Sequence, residues 1–273
     1  MKHAPLLETQ GFNQLARTRD GYCLYNVNDI YIGQAIETYG EYGRIEGQLF
    51  DQILRPGNFV IEVGANIGAH TVEIARRVGP TGGVFAFEPQ RLVFQNLCAN
   101  IALNSLLNVE CHWAAVGAEE GSVLVPEIDP GQRGNFGGVS MRKVEQGRPV
   151  PCFTLDGFIS MPQLALIKID VEGMETDVIE GGRELIARFK PMLYVENDRL
   201  ESSEALMKLI GGLGYRLYWH IPPLFNPANF YEEQNNIYPD LVSFNMLCIH
   251  RDVNAQLNGF TEITDFASHP LRR

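Results

Sequence analysis

Two short runs gather the residue types that could do chemistry at close quarters. In the first, Glu62 precedes Gly64-Ala65-Asn66-Ile67-Gly68, with His70 and Thr71 following. In the second, Lys168 leads into Asp170-Val-Glu-Gly-Met-Glu175. Glycines of the first kind let backbone approach a ligand closely, and a helix starting after them would offer free N–H groups. Carboxylates of the second kind can take a proton from a reacting hydroxyl, which is a poor nucleophile until that proton leaves. Asp170 and Glu172 are two apart and share a face if the segment is extended; the turn at Gly173 would separate them. The bland alternative is that both cap and charge the next helix.

The glycine turn narrows the ligand. A dinucleotide fingerprint needs G-x-G-x-x-G, and Asn66 stands where a glycine would admit a pyrophosphate. No Gly-Lys-Ser/Thr follows, so a P-loop is absent too. Glu88 falls close to the offset of about 20 residues at which a carboxylate accepts ribose hydroxyls. Glu62 suits an ammonium group. A ribose carboxylate, a turn hostile to diphosphate and an acidic strand end together favour S-adenosylmethionine.

To meet, these residues need strands and helices in alternation. The apolar runs 59–63 and 164–169 predict buried strands, and 69–78 and 90–104 predict helices, the second carrying Val93, Leu97 and Ile101 on one side. Further strands are expected at 84–87, at 109–111 running on toward Val116, at 122–125 and at 150–153. A short helical turn is expected over 155–159, then helix 176–189, strand 192–195, helix 203–213 and strands 215–219 and 243–250. Residues 126–148 and 220–239 read as long loops of the kind that shape acceptor pockets. Upstream, 21–32 predicts a hairpin, followed by a helix from Gln34 and another over 45–54 that Pro56-Gly57 stops.

The expected organisation is a cap over 1–56, a core over 57–250 and a tail over 251–273. Alternation of this kind gives an α/β fold with a mostly parallel sheet and helices on both faces. Ligands then bind at the carboxyl ends of the strands. Gly64–Gly68, Glu88, residues 170–175 and Glu196-Asn197 would share that edge. Asp170, Glu196 and Asn197 also offer the hard oxygens that Mg²⁺ prefers, though their spacing does not establish a metal site. His220 opens an aromatic loop and is a second candidate base.

The 273 residues carry a formal net charge of -11, which argues against a phosphate-backbone partner and hence against nucleic acid. The five scattered cysteines form no CxxC pair, so neither a disulfide framework nor a zinc site is expected. The first residues lack an apolar signal core and no run approaches the ~20 residues of a membrane span. The expectation is a cytoplasmic protein with no membrane partner.

Val60-Ile-Glu-Val-Gly-Ala-Asn-Ile-Gly-Ala-His-Thr71, Phe87-Glu-Pro89 and Ile167-Lys-Ile-Asp-Val-Glu-Gly-Met-Glu175 together resemble the FkbM family of methyltransferases. Tyr39-Gly-Glu41 and Ser243-x-Asn-x-Leu-Cys248 resemble it as well. The resemblance spans about residues 30 to 250, with Lys-Ile-Asp-Val-Glu-Gly the more family-specific element. It implies a seven-stranded Rossmann-like sheet whose last strand is antiparallel, and methylation of a hydroxyl on a sugar, glycan or secondary metabolite. By that similarity Gly64, Ala65, Asn66 and Gly68 line the methionine moiety, Glu88 holds the ribose, and Ala115 or Val116 faces the adenine. His70, Thr71 and Glu41 complete the pocket, and Glu62 stands where many relatives carry Asp. Rival readings are methylation of nitrogen or of a protein, and a catalytically silent adenosylmethionine-binding module. A nicotinamide dehydrogenase ranks last because Asn66 breaks its fingerprint.

Overall fold

Two strands with almost no solvent exposure form the middle of the molecule, and everything else is arranged around their carboxyl ends. The computed structural model describes residues 6–272 except 9, 142–143, 159, 255–256 and 258. Ile159 of the expected helical turn and parts of the expected cap and tail lie outside the described residues.

In chain order, β1 (Leu7–Glu8), β2 (Asn13–Thr18) and β3 (Gly21–Asn26) form a small sheet, followed by α1 (Ile32–Tyr39) and α2 (Arg44–Ile53). Next come β4 (Phe59–Val63), α3 (Ala69–Val78), β5 (Gly83–Phe87), α4 (Arg91–Leu103) and β6 (Val109–His112). β7 (Ala115–Val116), β8 (Gly121–Val125) and β9 (Arg148–Phe153) make a second small sheet, and α5 (Leu155–Phe158) follows. The chain continues with β10 (Leu166–Ile169), α6 (Glu175–Glu180), α7 (Arg183–Phe189), β11 (Met192–Glu196), α8 (Leu200–Gly212), β12 (Tyr215–His220) and β13 (Asn245–His250).

The main sheet has seven strands in the order β12-β13-β11-β10-β4-β5-β6. β4 pairs in parallel with β5 and β10, while β13 runs antiparallel to both β11 and β12. The expected Rossmann-like sheet with a reversed last strand is therefore present. Alternation along the central strands sends side chains to opposite faces. Ile61, Val63, Ile167 and Ile169 join a core with Val178, Ile179 and Met207 from α6 and α8. Val60 and Leu166 join another with Phe50 of α2 and Ile74 of α3. Glu62 and Lys168, each two residues along from Val60 and Leu166, share that second face.

Register brings the chemistry together. Val63 is opposite both Phe87 and Ile169, and Ile169 is opposite Val195, so the ends of β4, β5, β10 and β11 lie level. The next residues on each strand are Gly64, Glu88, Asp170 and Glu196. Gly64 has φ +84, and a Cβ there would lie 1.8 Å from the Asp170 carbonyl oxygen, so glycine is required where the turn passes the end of β10.

Three expected elements differ. The hairpin is formed by β2 and β3 rather than by 21–32, because the chain reverses at Arg19-Asp20. The helix expected over 176–189 is two helices. Gly181 and Gly182 separate them, and a Cβ on Gly181 would lie 2.0 Å from the Gly117 carbonyl oxygen, a backbone approach that a continuous side-chain-bearing helix could not make. The strand expected to run on to Val116 ends at His112. Ala115 and Val116 pair instead with Cys152 and Phe153, after Trp113 donates its indole N–H to the Pro89 carbonyl at 2.8 Å.

Candidate active site

The level strand ends open onto a cavity of about 380 Å³. Glu62, Gly64, Ala65, Asn66, His70, Glu88, Asp170 and Glu172 line it, so most of the residues singled out in the sequence are brought together. A second cavity of similar volume lies between β2, α4 and the 125–136 segment. Asn135, Gly137 and Gly138 face the first cavity and Phe136 the second, so this stretch is the wall between them. The acidic strand ends belong to the first.

The glycine turn is fixed from two sides. Glu88 is 4% exposed; its Oε2 accepts the Asn66 N–H at 3.0 Å and its Oε1 accepts the Gln90 N–H at 2.8 Å. Burial raises the Glu88 carboxyl to about 7 despite those donors. Asn66 has φ +52, and its own Oδ1 accepts the next N–H at 2.7 Å. Short polar residues tolerate this conformation by such local bonds.

On the floor, Glu62 accepts the Thr71 hydroxyl at 2.7 Å and stands 3.8 Å from Lys168 Nζ. Burial raises its pKa, opposed by Lys168 and Thr71. Lys168 Nζ donates to Asp170 Oδ2 at 3.2 Å. Burial alone would lower the Lys168 pKa; the carboxylates of Asp170, Glu62 and Glu46 outweigh it and the net direction is upward. His70 is buried between Tyr42 and Phe50, its Nδ1 has no hydrogen-bond partner, and burial lowers its pKa.

At the far end, Glu172, Glu196 and Asp198 each present an oxygen within 4.8 Å of the others. Burial, reinforced by the Asp170 charge, raises Glu172 to about 7 and Glu196 well above the usual carboxylate range. Asn197, grouped with the acids in the sequence reading, is turned away; its side chain donates to Met246 Sδ and its carbonyl meets His269 Nε2 at 2.8 Å. These oxygens suit a cation by type. Arg199 already answers two of them, donating to Glu172 at 2.6 Å and standing 3.9 Å from Asp198.

Six expected positions lie elsewhere, among them Gly68, which caps α3 and lines a smaller pocket. Glu41 lies outside this cavity and acts as a staple: it accepts from Arg19 at 2.7 Å, Asn226 at 2.7 Å and the Phe230 N–H at 3.0 Å. Thr71 is fully buried beneath Glu62 and reaches the cavity only through it. Ala115 and Val116 are buried in β7. His220 faces away from the lining, with Nδ1 2.8 Å from the Tyr194 hydroxyl, and burial lowers its pKa to about 4, too acidic for an efficient base near neutrality.

Sequence reasoning passed over Glu46, Tyr42, Asp198, Asn245 and Leu271, all of which line the cavity. Glu46 had a signal. It precedes Leu49, Phe50 and Ile53 at i+3, i+4 and i+7, so a charged residue sat on the buried stripe of α2. Leu271 arrives because Ile263 N–H bonds the Leu217 carbonyl at 2.8 Å and His269 meets Asn197, folding residues of the tail over the strand ends.

A sheet of this order, with a glycine turn after its first core strand and an acid after the next, defines a Rossmann-like α/β protein with a nucleotide-type site at its carboxyl edge. The description of the methyltransferase FkbM domain matches residues 62–217, more than half of the chain. The chain belongs to the FkbM methyltransferase family. It is 27% identical over 146 residues to Methyltransferase 1 of Beauveria bassiana, an alignment covering 45% of this chain and 58% of that relative. Among solved structures, an S-adenosylmethionine-dependent O-methyltransferase from Thermotoga maritima shares the fold at TM-score 0.50 and 14% identity, covering 88% of this chain and 78% of that one. Methyltransferase FkbM from Methylobacillus flagellatus KT aligns at TM-score 0.44 and 15% identity, over 80% of this chain and 55% of that one.

Proposed function

We propose that this methyltransferase transfers its methyl group to a hydroxyl of a sugar, glycan or hydroxylated secondary metabolite, with Asp170 taking the proton. The observation that carries this reading is the position of Asp170. It follows β10 directly against the glycine turn, its side chain is 43% exposed into the cavity, and it is the acid with a lysine at 3.2 Å.

S-adenosylmethionine fits the residues on the Gly64–Glu88 side. The turn leaves no room for a side chain at Gly64, Asn66 in place of glycine disfavours a diphosphate, and Glu88 has lone pairs left for a diol. Glu62, Glu46 and His70, whose Nδ1 makes no hydrogen bond, would surround the amino-acid end. When bound, the cofactor supplies a methyl group on a positively charged sulfur, which keeps the bonding pair as the acceptor oxygen donates its own. The chain's own residues align the acceptor and move its proton to the Asp170 carboxylate.

Leu224, Leu241, Phe244 and Asn245 close the other side of the cavity and mix apolar surface with amide hydrogen bonding, which suits a hydroxylated small molecule. All five cysteines are unpaired thiols, in keeping with a reducing, cytoplasmic setting. Among the described residues no helix is long and apolar enough to cross a membrane.

A second reading has its own support. Glu172, Glu196 and Asp198 would also favour an amine acceptor, making the enzyme an N-methyltransferase. Methyl-labelled cofactor offered with sugars, glycolipids, hydroxylated metabolites and amines separates the two. Label appearing on hydroxyl oxygen supports the first reading, and label confined to nitrogen overturns it. Cofactor binding without turnover on any acceptor would point to a silent module.

A further inference from the structure

The second cavity, about 380 Å³ in volume, shares no lining residue with the first. It is built from what the chain adds around the main sheet: the start of β2, the end of β3, the first turns of α4, and the segment from the end of β8 to the first residues of β9. Its size falls within the range of small-molecule sites. Phe12, Ile67, Val93, Val125, Phe136 and Val150 make its walls apolar, and all but Phe12 are buried.

The buried polar groups around it are answered from within the protein, with one exception. Asp29 accepts the Tyr31 and Gly33 N–H groups at 3.0 and 3.2 Å, and Asn26 donates to the Pro130 carbonyl at 3.0 Å. Asn13 and Asn96 bond each other at 3.1 and 3.3 Å. Nearer solvent, Arg148 and Glu127 form an ion pair at 2.8 Å. The exception is Gln90, which is 9% exposed and whose Nε2 donates to the Phe136 carbonyl at 2.8 Å. A carbonyl can only accept, so the other amide atom of Gln90 is the oxygen. That Oε1 is buried without a hydrogen-bond partner, the one such atom among the described residues of this lining.

We infer that this cavity is a binding site for a second small molecule, separate from the methyl donor: an uncharged ring compound with apolar faces and an N–H or O–H on its edge that donates to Gln90 Oε1. No buried charge is left over to hold an ion, so an uncharged ligand fits. A buried acceptor without a donor costs free energy, so the site selects a ring that brings one. The strip from Asn135 to Gly138 keeps the two ligands apart. It is held by the bond from Gln90 to Phe136 and by Gly134, whose N–H bonds the Asn28 carbonyl at 3.0 Å and whose carbonyl accepts the Ile30 N–H at 3.1 Å. The two sites are still neighbours along the chain, since Glu88 lines the first and Pro89 and Gln90 the second. The second site is independent of which atom the enzyme methylates.

Indole and indene provide the test, because they share nearly the same bicyclic shape and only indole carries an N–H. Calorimetry on the full chain should show saturable binding of indole and about tenfold weaker binding of indene, the loss expected when a buried acceptor is left without a donor. Gln90→Leu removes the acceptor and should bind the two alike. Val93→Phe puts a ring into the cavity from α4 and should abolish binding of both, while S-adenosylhomocysteine still binds. Indole should also bind with unchanged stoichiometry when S-adenosylhomocysteine is saturating. Absence of indole binding, or equal affinity for indole and indene in the unmodified chain, overturns the inference. Displacement of indole by S-adenosylhomocysteine overturns it too, because the cavity would then be part of the methyl donor's own pocket. Should Gln90→Leu not fold, Val93→Phe decides: indole bound there at full affinity sits elsewhere on the protein, and the site is lost.

Discussion

The carboxylate of Glu88 accepts the backbone N–H of Asn66 at 3.0 Å, so the residue after β5 braces the turn after β4. Its other oxygen accepts the Gln90 N–H at 2.8 Å. One side chain thus shapes the left-handed step at Asn66 and presents a carboxylate where a ribose would lie. Glu88→Ala should remove both supports. Loss of one or two hydrogen bonds to a charged group, at about 1.5–3 kcal/mol each, corresponds to a roughly tenfold or greater rise in Kd. Calorimetry with S-adenosylhomocysteine measures this, and an unchanged Kd would remove Glu88 from the cofactor site.

The same residue makes stability depend on pH in a direction opposite to that of most salt-bridged carboxylates. Burial holds Glu88 at about 7 in the folded chain, against an ordinary value of 4.5. Below 4.5 it is neutral in both states and contributes nothing. As pH rises from 4.5 to 7 the unfolded chain releases the proton while the folded chain retains it, so stability falls, by on the order of 3 kcal/mol in total, and then levels off. Melting temperatures of the ligand-free protein should therefore decline between pH 5 and pH 7 more steeply than those of Glu88→Gln. Parallel curves would contradict the assignment.

What could be read from the chain depended on how local the signal was. The runs at β4 and β10 are apolar without interruption, and the residue following each strand is fixed by one-step counting, so Gly64, Glu88 and Asp170 were legible before any coordinates. Glu41 and Glu46 were not distinguishable that way. Both are carboxylates near the start of one helix, and which of them turns inward depends on Arg19, Asn226 and the Phe230 backbone, which reach Glu41 from 22, 185 and 189 residues away. The break at Gly181-Gly182 depends likewise on the Gly117 backbone across the molecule. Burial of Lys168 in a strand was visible as an anomaly; its two counter-charges needed the β4–β10 register.

That distinction between the two glutamates is itself testable. Glu41→Ala leaves Arg19 and Asn226 without their acceptor, and should cost about 3 kcal/mol, near the lower end for breaking a buried pair because Arg19 is partly exposed. Affinity for S-adenosylhomocysteine should hardly change. Glu46→Gln should do the reverse, with a small change in stability and a clear loss of affinity, because its carboxylate lines the cavity. Denaturant unfolding and calorimetry on both variants decide the matter. Weaker cofactor binding in Glu41→Ala at full stability would place that residue in the pocket after all.

Removal of divalent cations should leave turnover intact. Glu172, Glu196 and Asp198 form the one group of three or more metal-type ligands among the described residues, and are the candidate place for a cation. One feature counts against it: the Arg199 guanidinium is already bonded to Glu172 and lies close to Asp198, supplying these acids with a positive charge. Lys168 supplies positive charge beside Asp170 without an ion. Methyl transfer after exhaustive dialysis against excess EDTA should match that of untreated enzyme. A loss restored by Mg²⁺ would show that the acidic end binds metal during turnover, and Arg199→Ala should then strengthen the metal dependence rather than abolish it.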